Sequence, residues 1–148
     1  MIARPLLAAV FALTAALSIP SLAAAAEAVR IAFHVDENDP QKMNMTLNNA
    51  ANVAKYYEAK GVETVIEVVT YGPGLMMLVE GKSPVAARIA AMSLEHENLK
   101  FSACANTMDV IEKKTGTKPV LISEAVVTPS GVVRLVELQG EGYAYIKP

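Results

Sequence analysis

Short runs rich in β-branched residues alternate with segments of helical periodicity through most of this chain. Strand patterns cover residues 29–35, 62–70 and 99–103, and residues 143–147 alternate as a last short strand. Strands separated by helices form βαβ units, and such units build parallel sheets. The sequence therefore predicts a three-layer α/β fold, with a mainly parallel sheet of four or five strands and helices on both faces, of the flavodoxin-like or Rossmann-like type.

The segments between the strands have the spacing and the end residues of helices. Helices are predicted over residues 43–60, 75–80, 83–96, 106–114 and from 131 onward. Ser83 is expected to cap its helix with Pro84 at the first position, and Leu94 is expected to be buried. Residues 36–42 have the composition of a loop, and residues 120–127 fit either a strand or a short helix. The expected core face of the last helix comprises Val132, Val133, Leu135, Val136 and Leu138.

The first 26 residues have the pattern of a secretory signal peptide. Arg4 provides the basic start, an apolar run follows, and an alanine tract offers small-residue cleavage sites after Ala25 or Ala26. A membrane anchor needs about 20 apolar residues, and Pro20 interrupts this stretch before that length. We therefore predict a single domain over residues 27–148 that is periplasmic or secreted and does not contact the membrane after cleavage.

Charge and metal-ligand content exclude several classes of function. Arg4 is the only charged residue before Glu27, so the predicted mature chain has twelve basic and fifteen acidic residues. This balance does not favour a nucleic-acid partner, which requires a basic face. Two histidines and one cysteine also make a zinc site improbable, and no metal or cofactor is expected. The acidic residues after His34 are better explained as a solvated loop.

Candidate site residues follow from the predicted sheet, because ligands of parallel sheets gather beyond the carboxyl ends of the strands. Cys104 lies there, where a strand becomes a helix, and helix N-termini lower the pKa of cysteine. A free cysteine is also commonly a small buried apolar residue, and position alone leaves both interpretations open. As the chain's single cysteine it cannot form an internal disulfide. His34 ends the first strand and is a candidate neighbour of the thiol.

Four further residues are candidates for lining a ligand pocket: Tyr71, Gly72, Gly74 and Asn48. The first three follow the second strand, but their spacing does not match a phosphate-binding loop, and a turn that needs glycine explains them better. Asn48 belongs to a stripe of asparagines spaced four residues apart on the first helix. That stripe is expected to be solvated or to contact another subunit.

Several segments together resemble the DsrE/DsrF-like sulfur-relay proteins (the DsrE/DsrF/TusD type), most closely a stand-alone branch. The resemblance is carried by residues 47–52, 71–75, 101–108, 130–132 and 138–148. It implies an α/β fold assembled as trimers or hexamers, with a cysteine that carries sulfur as a persulfide, and Cys104 occupies that cysteine's position. Two features differ from the relay subunits: the export signal, and Ala-Asn-Thr-Met after Cys104 where those subunits have an Arg-Gly stretch.

Two functional hypotheses follow. In the first, the chain is an exported sulfur carrier or sulfurtransferase-like protein that receives sulfane sulfur on Cys104 from a donor protein or passes it to an acceptor. Asn106 and Thr107, in the first turn of the next helix, then orient or hydrogen-bond the sulfur anion. In the second, the chain is a non-catalytic homo-oligomeric binding or assembly module, and its cysteine is buried and structural.

Overall fold

Strands and helices alternate along residues 27–148, the part of the chain that the computed structural model describes; the predicted signal peptide lies outside the described residues. The strands are β1 Val29–Val35, β2 Thr64–Thr70, β3 Leu99–Cys104, β4 Ala125–Thr128 and β5 Ala144–Ile146. The helices are α1 Pro40–Glu58, α2 Ala86–Glu95, α3 Ala105–Thr115 and α4 Gly131–Gly140. The segment predicted as a short helix over residues 75–80 is a 3₁₀ helix at Gly72–Leu78.

All five strands form one parallel sheet in the order β4-β3-β2-β1-β5. The register aligns Ala32 of β1 with Glu67 of β2 and Lys100 of β3, so side chains of these three strands form rows across the sheet. The predicted α/β fold with a parallel sheet is confirmed. Of the ambiguous segment over residues 120–127, the last three residues belong to β4, and none of the segment is helical.

The two faces of the sheet are covered unequally. On the first face, α1, α2, α3 and the 3₁₀ helix pack against the large apolar core, whose biggest buried side chains include Phe33, Phe101, Met43 and Met77. On the second face, α4 packs through a small cluster formed by Ala32, Val69, Leu135, Leu138 and Tyr143. Helices therefore lie on both faces, as predicted, but the second face depends on a much smaller apolar contact.

The first helix begins three residues earlier than the sequence analysis predicts. Pro40 was expected to lie in a loop, yet it occupies the first turn of α1, where its missing N–H is harmless. Asp39 caps the helix: its Oδ1 accepts hydrogen bonds from the N–H groups of Gln41 at 2.7 Å and Lys42 at 3.4 Å. A proline in an acidic segment therefore marks the start of this helix.

The predicted cap at Ser83 is wrong, because α2 begins at Ala86. The Ser83 hydroxyl donates a hydrogen bond to the carbonyl oxygen of Met77 at 2.5 Å and accepts one from the N–H of Val85 at 3.3 Å. The serine therefore closes a turn ahead of the helix. In the same helix, Leu94 was expected to be buried and is 88% exposed.

The predicted core face of α4 is only partly correct. Leu135 and Leu138 are buried, whereas Val132, Val133 and Val136 are each more than half exposed. A single helix on a flat face buries a narrow stripe, and residues 135 and 138 occupy it because they are three positions apart. Within residues 27–148, none of the helices has the length and apolar character needed to cross a membrane.

Candidate functional site

Cys104 ends β3 and directly precedes α3. Side chains alternate along a strand, so Cys104 shares the second face of the sheet with Ser102 and Lys100, while Phe101 and Ala103 enter the large core. Cys104 is 4% exposed. The sequence-predicted cysteine therefore stands at the carboxyl edge of the sheet, nearly covered, at the start of a helix.

The N-terminus of a second helix also reaches the sulfur. Because β4 pairs with β3, the segment that follows β4 lies beside Cys104, and α4 begins there at Gly131. The N–H of Asn106 donates a hydrogen bond to the carbonyl oxygen of Pro129 at 3.3 Å, which ties the start of α3 to the segment entering α4. The N-termini of α3 and α4 thus lie beside Cys104, and both favour negative charge there.

The pKa of Cys104 is lower than its ordinary value. Burial by itself raises this pKa, but the Thr107 hydroxyl and the backbone N–H groups of Gly131, Thr107 and Asn106 outweigh burial. A neutral thiol accepts hydrogen bonds only weakly, so these donors act mainly on the thiolate. The site therefore favours the nucleophilic form of cysteine without a cationic side chain among those donors.

Thr107 is oriented by the turn that follows β2. The N–H of Gly72 donates a hydrogen bond to Oγ1 of Thr107 at 2.9 Å, which leaves the hydroxyl proton free to point toward the sulfur. Gly72 has a φ of +54°, a left-handed conformation that favours glycine. Residues 71–74 therefore form a turn, as expected, and this turn also supports the cysteine site because it fixes the Thr107 hydroxyl.

We expect Thr107→Val to raise the pKa of Cys104, because valine keeps the shape of threonine but cannot donate to the thiolate. A hydrogen bond to a charged group contributes about 1.5–3 kcal/mol, so the thiolate fraction at neutral pH should fall about ten- to hundredfold. The pH dependence of alkylation measures the change. Thr107→Ser keeps the hydroxyl and is the matched control; an equal effect in both variants would contradict this role for the hydroxyl.

His34 lies on the same face of the sheet as Cys104, but it belongs to β1, two strands away from β3. Tyr71, which follows β2, lies between them. The His34 and Tyr71 rings stack with centroids 4.6 Å apart, and the Tyr71 side chain packs against Gly131 at the start of α4. Nδ1 of His34 is 2.7 Å from the hydroxyl of Tyr145. The structure therefore places Gly72 against Thr107 and Tyr71 against the start of α4, and it connects His34 to the start of α4 through Tyr71.

The imidazole of His34 is buried, and its pKa is lowered mainly by that burial. Its Nε2 atom is 3.8 Å from Oδ2 of Asp36, but a lowered pKa keeps the ring neutral at neutral pH, so this contact is not an ion pair there. Asp36 instead accepts a hydrogen bond from Nζ of Lys147 at 2.6 Å, which lowers the pKa of the Asp36 carboxyl. His34 is thus a neutral neighbour of the site and not a cation that stabilises the thiolate.

The model of the DsrE/DsrF-like family matches residues 24–148 of this chain. The chain belongs to the DsrE/DsrF-like family. It is also similar to a solved structure of a protein of unknown function, MTH1491 from Methanobacterium thermoautotrophicum, with 29% sequence identity and a TM-score of 0.69. That match covers 81% of this chain and 99% of the other. No curated protein matches the chain.

Two of the residues predicted to line a ligand pocket in this DsrE/DsrF-like protein do not line a pocket beside Cys104. Gly74 is buried against the backbone of Val35 and Asp36. Asn48 belongs to α1 on the first face of the sheet, and its side-chain oxygen accepts a hydrogen bond from Arg88 at 2.6 Å. The asparagine stripe was expected to be solvated or to contact a second subunit; Asn48 and Asn52 are exposed, and Asn44 and Asn48 also accept hydrogen bonds from Arg88 of α2.

Gly131 is the site residue of this DsrE/DsrF-like protein that the sequence analysis missed. It was recognised as part of a helix start but not as a neighbour of Cys104. The signal that could have found it is topological, because a helix start lies beside Cys104 only if the strand before it pairs with β3. Among residues 27–148, no group of three or more His, Cys, Asp or Glu side chains is arranged to hold a metal ion.

A cleft of about 360 Å³ opens at the opposite edge of the sheet, between the C-terminal parts of α1 and α2. Its volume lies in the range of small-molecule sites. Its walls include Ile66, Met92 and Leu99 and the carboxylates of Glu58, Glu63, Glu95 and Glu97. Cys104 does not line this cleft, so the cleft and the thiol are separate features of the DsrE/DsrF-like domain.

Proposed function

We propose that this DsrE/DsrF-like protein is an exported sulfur carrier that holds sulfane sulfur as a persulfide on Cys104. The observation that carries the proposal is the position of the chain's single cysteine at the start of α3 and beside the start of α4, an environment that, with the Thr107 hydroxyl, lowers its pKa. Membership of the DsrE/DsrF-like family supports a part in sulfur relay. Export is proposed from the N-terminal sequence pattern alone.

The reaction requires a thiolate and a donor that already contains a sulfur–sulfur bond. The Cys104 thiolate attacks the terminal sulfur of a donor persulfide R–S–SH; the donor's S–S bond breaks, R–S⁻ leaves with the bonding electron pair, and Cys104 becomes Cys–S–SH. A thiolate on an acceptor then attacks the terminal sulfur and releases the Cys104 thiolate. No external oxidant or reductant is consumed, because the sulfane sulfur only changes its partner.

Burial of Cys104 is consistent with a carrier in an oxidising compartment. A free exposed thiol there is open to oxidation and to mixed disulfides, and a buried cysteine such as Cys104 is largely protected from both. The same burial is also the observation that favours the competing hypothesis of a binding or assembly module with a structural cysteine. The two hypotheses differ in whether the folded protein's thiol reacts.

We expect the folded protein to gain the mass of one sulfur atom when it is treated with a small persulfide donor such as cysteine persulfide, and to lose it to an added acceptor thiol. Intact-mass spectrometry measures the gain, and Cys104→Ser is the control that should remain unmodified while retaining its circular dichroism spectrum. If Cys104 gains sulfur only after denaturation, the carrier hypothesis fails and the structural-cysteine hypothesis replaces it.

The same mass measurements test two further parts of the proposal. Protein recovered from its native compartment should begin at Ala26 or Glu27, and a mass that still includes Met1 would contradict export.

Mass spectrometry under native conditions should give a multiple of the chain mass, because the exposed Val132, Val133 and Val136 on α4 supply an apolar surface for a symmetric trimer or hexamer. A monomer at micromolar concentration would contradict assembly.

A further inference from the structure

A buried carboxylate lies on the second face of the sheet, beneath α4. Glu67 of β2 is 3% exposed. Arg134 of α4 donates two hydrogen bonds to this carboxylate, from Nε to Oε1 at 2.9 Å and from Nη2 to Oε2 at 2.8 Å. The hydroxyl of Ser102 donates a third to Oε1 at 2.6 Å. Burying such a pair gains little stability over an apolar replacement, so its presence suggests another use.

The three side chains join the parts of the protein that meet at the sulfur. Ser102 precedes Cys104 by two residues in β3 and faces the same side of the sheet. Arg134 lies one turn into α4, and its N–H bonds to the carbonyl oxygen of Ser130 at 2.9 Å, immediately before Gly131. The network therefore links the strand that carries Cys104 to the first turn of the helix whose N-terminus reaches the sulfur.

Apolar packing alone holds this first turn weakly. The buried residues of α4 are Leu135 and Leu138, which lie beyond the first turn, together with Gly131, which has no side chain. Val132 and Val133 of the first turn are more than half exposed. Besides the Tyr71 ring, which packs against Gly131, the bidentate contact from Arg134 to Glu67 is the side-chain anchor near the start of α4, and its planar geometry fixes direction as well as distance.

We propose that Glu67, Arg134 and Ser102 form a positioning device that holds the N-terminal turn of α4 against Cys104, so that the N–H of Gly131 faces the sulfur. This inference rests on the proposed function, because only a reactive thiolate at Cys104 gives such a device a use. The three residues do not contact the sulfur donor. They act through the placement of a backbone group.

A direct electrostatic effect of Glu67 on the sulfur predicts the opposite result. Glu67 pairs in register with Lys100, but its Oε1 accepts a hydrogen bond from Ser102, two residues before Cys104, which places the carboxylate about 7 Å along the strand from the cysteine at 3.3 Å per residue. A negative charge acting through space raises a thiol pKa, so removing it would lower the pKa of Cys104. Positioning predicts a rise, because the Gly131 N–H is then less well held. The sign of the change separates the two mechanisms.

The decisive experiment compares the thiolate titration of the wild type with that of Glu67→Gln. The readout is the ultraviolet absorbance of the thiolate as a function of pH, with the Cys104→Ser protein as the blank, and circular dichroism confirms that each variant is folded. We expect the titration of Glu67→Gln to move to higher pH, with a thiolate fraction at neutral pH about three- to tenfold smaller. An unchanged or lower midpoint overturns the positioning role.

Two further variants complete the test. Glu137→Gln removes an exposed partner of Arg134, 3.5 Å from Nη1, and should leave the titration unchanged. Ser102→Ala removes one hydrogen bond with little change in volume, should raise the midpoint by a smaller amount, and decides the question if Glu67→Gln does not fold. A wild-type midpoint at or above the ordinary value contradicts the proposed function itself, whereas a lowered wild-type midpoint that neither variant moves contradicts only the positioning device.

Discussion

Gly74→Ala is expected to destabilise the protein by about 3 kcal/mol or more, at the upper end of what overpacking costs. A Cβ atom at this position would lie 2.2 Å from the carbonyl oxygen of Val35, 2.6 Å from its carbonyl carbon and 2.8 Å from Cα of Asp36. These are backbone atoms at and just beyond the end of β1, where Val35 pairs with Thr70 of β2 and its carbonyl oxygen accepts a hydrogen bond from the N–H of Tyr71, so they cannot move aside without breaking these bonds.

Urea unfolding measures the loss, and Gly140→Ala is the matched control. At Gly140, near the C-terminal end of α4, an added Cβ meets no atom within 4 Å, so alanine should be neutral or slightly stabilising through its higher helix propensity. A Gly74→Ala protein as stable as the wild type would mean that the 71–74 turn does not pack on β1 as described. The same turn supplies the Gly72 N–H to Thr107, so its loss should also disturb the thiol.

The order of strands and helices could be predicted from the sequence because each signal is local. The β-branched run of β1 and the helical spacing of α1 need no knowledge of the rest of the chain. The strand-to-helix junction at Cys104 is local as well, and so the position of this cysteine between β3 and α3 could be predicted. Helix ends were less reliable, because Pro40 and Ser83 each fit two local structures and tertiary contacts decide between them.

The remaining parts of the site depend on which strands are neighbours, and the sequence does not state this. Gly131 reaches the sulfur because β4 pairs with β3, and Glu67 meets Arg134 because α4 crosses the second face over β2. The exposed valines of α4 have the same cause: they match a core pattern, but one helix on an open face buries only a stripe of its residues. A glutamate within a run of β-branched residues was the one available hint of the buried pair.

Arg134→Met is expected to cost about 3–5 kcal/mol at neutral pH, because it leaves the Glu67 carboxylate buried without its cation. Methionine retains most of the apolar stem, so the loss reports the missing charge rather than missing volume. Arg134 is largely covered and Glu67 almost completely so, and solvent screening of this contact is therefore weak. Urea unfolding at several pH values measures the loss, with Glu137→Gln as the control for the exposed partner of the same arginine.

The pH dependence gives this prediction a second signature. In the wild type, burial raises the pKa of Glu67, but the Arg134 and Ser102 hydrogen bonds outweigh it and hold this pKa below 4.5. The pair's contribution is therefore fully present above that value and is lost as the pH falls through the lowered pKa of the folded state. Without Arg134, burial prevails and the folded-state pKa rises above the unfolded one, so the variant regains stability when acid protonates Glu67. The deficit of Arg134→Met should thus shrink between neutral pH and about pH 4.

In Arg134→Met combined with Glu67→Gln, most of the deficit should be absent at every pH, because no buried charge remains. A deficit that is independent of pH and persists in the double variant would show that Arg134 acts through packing, and the buried ion pair would not be what anchors α4.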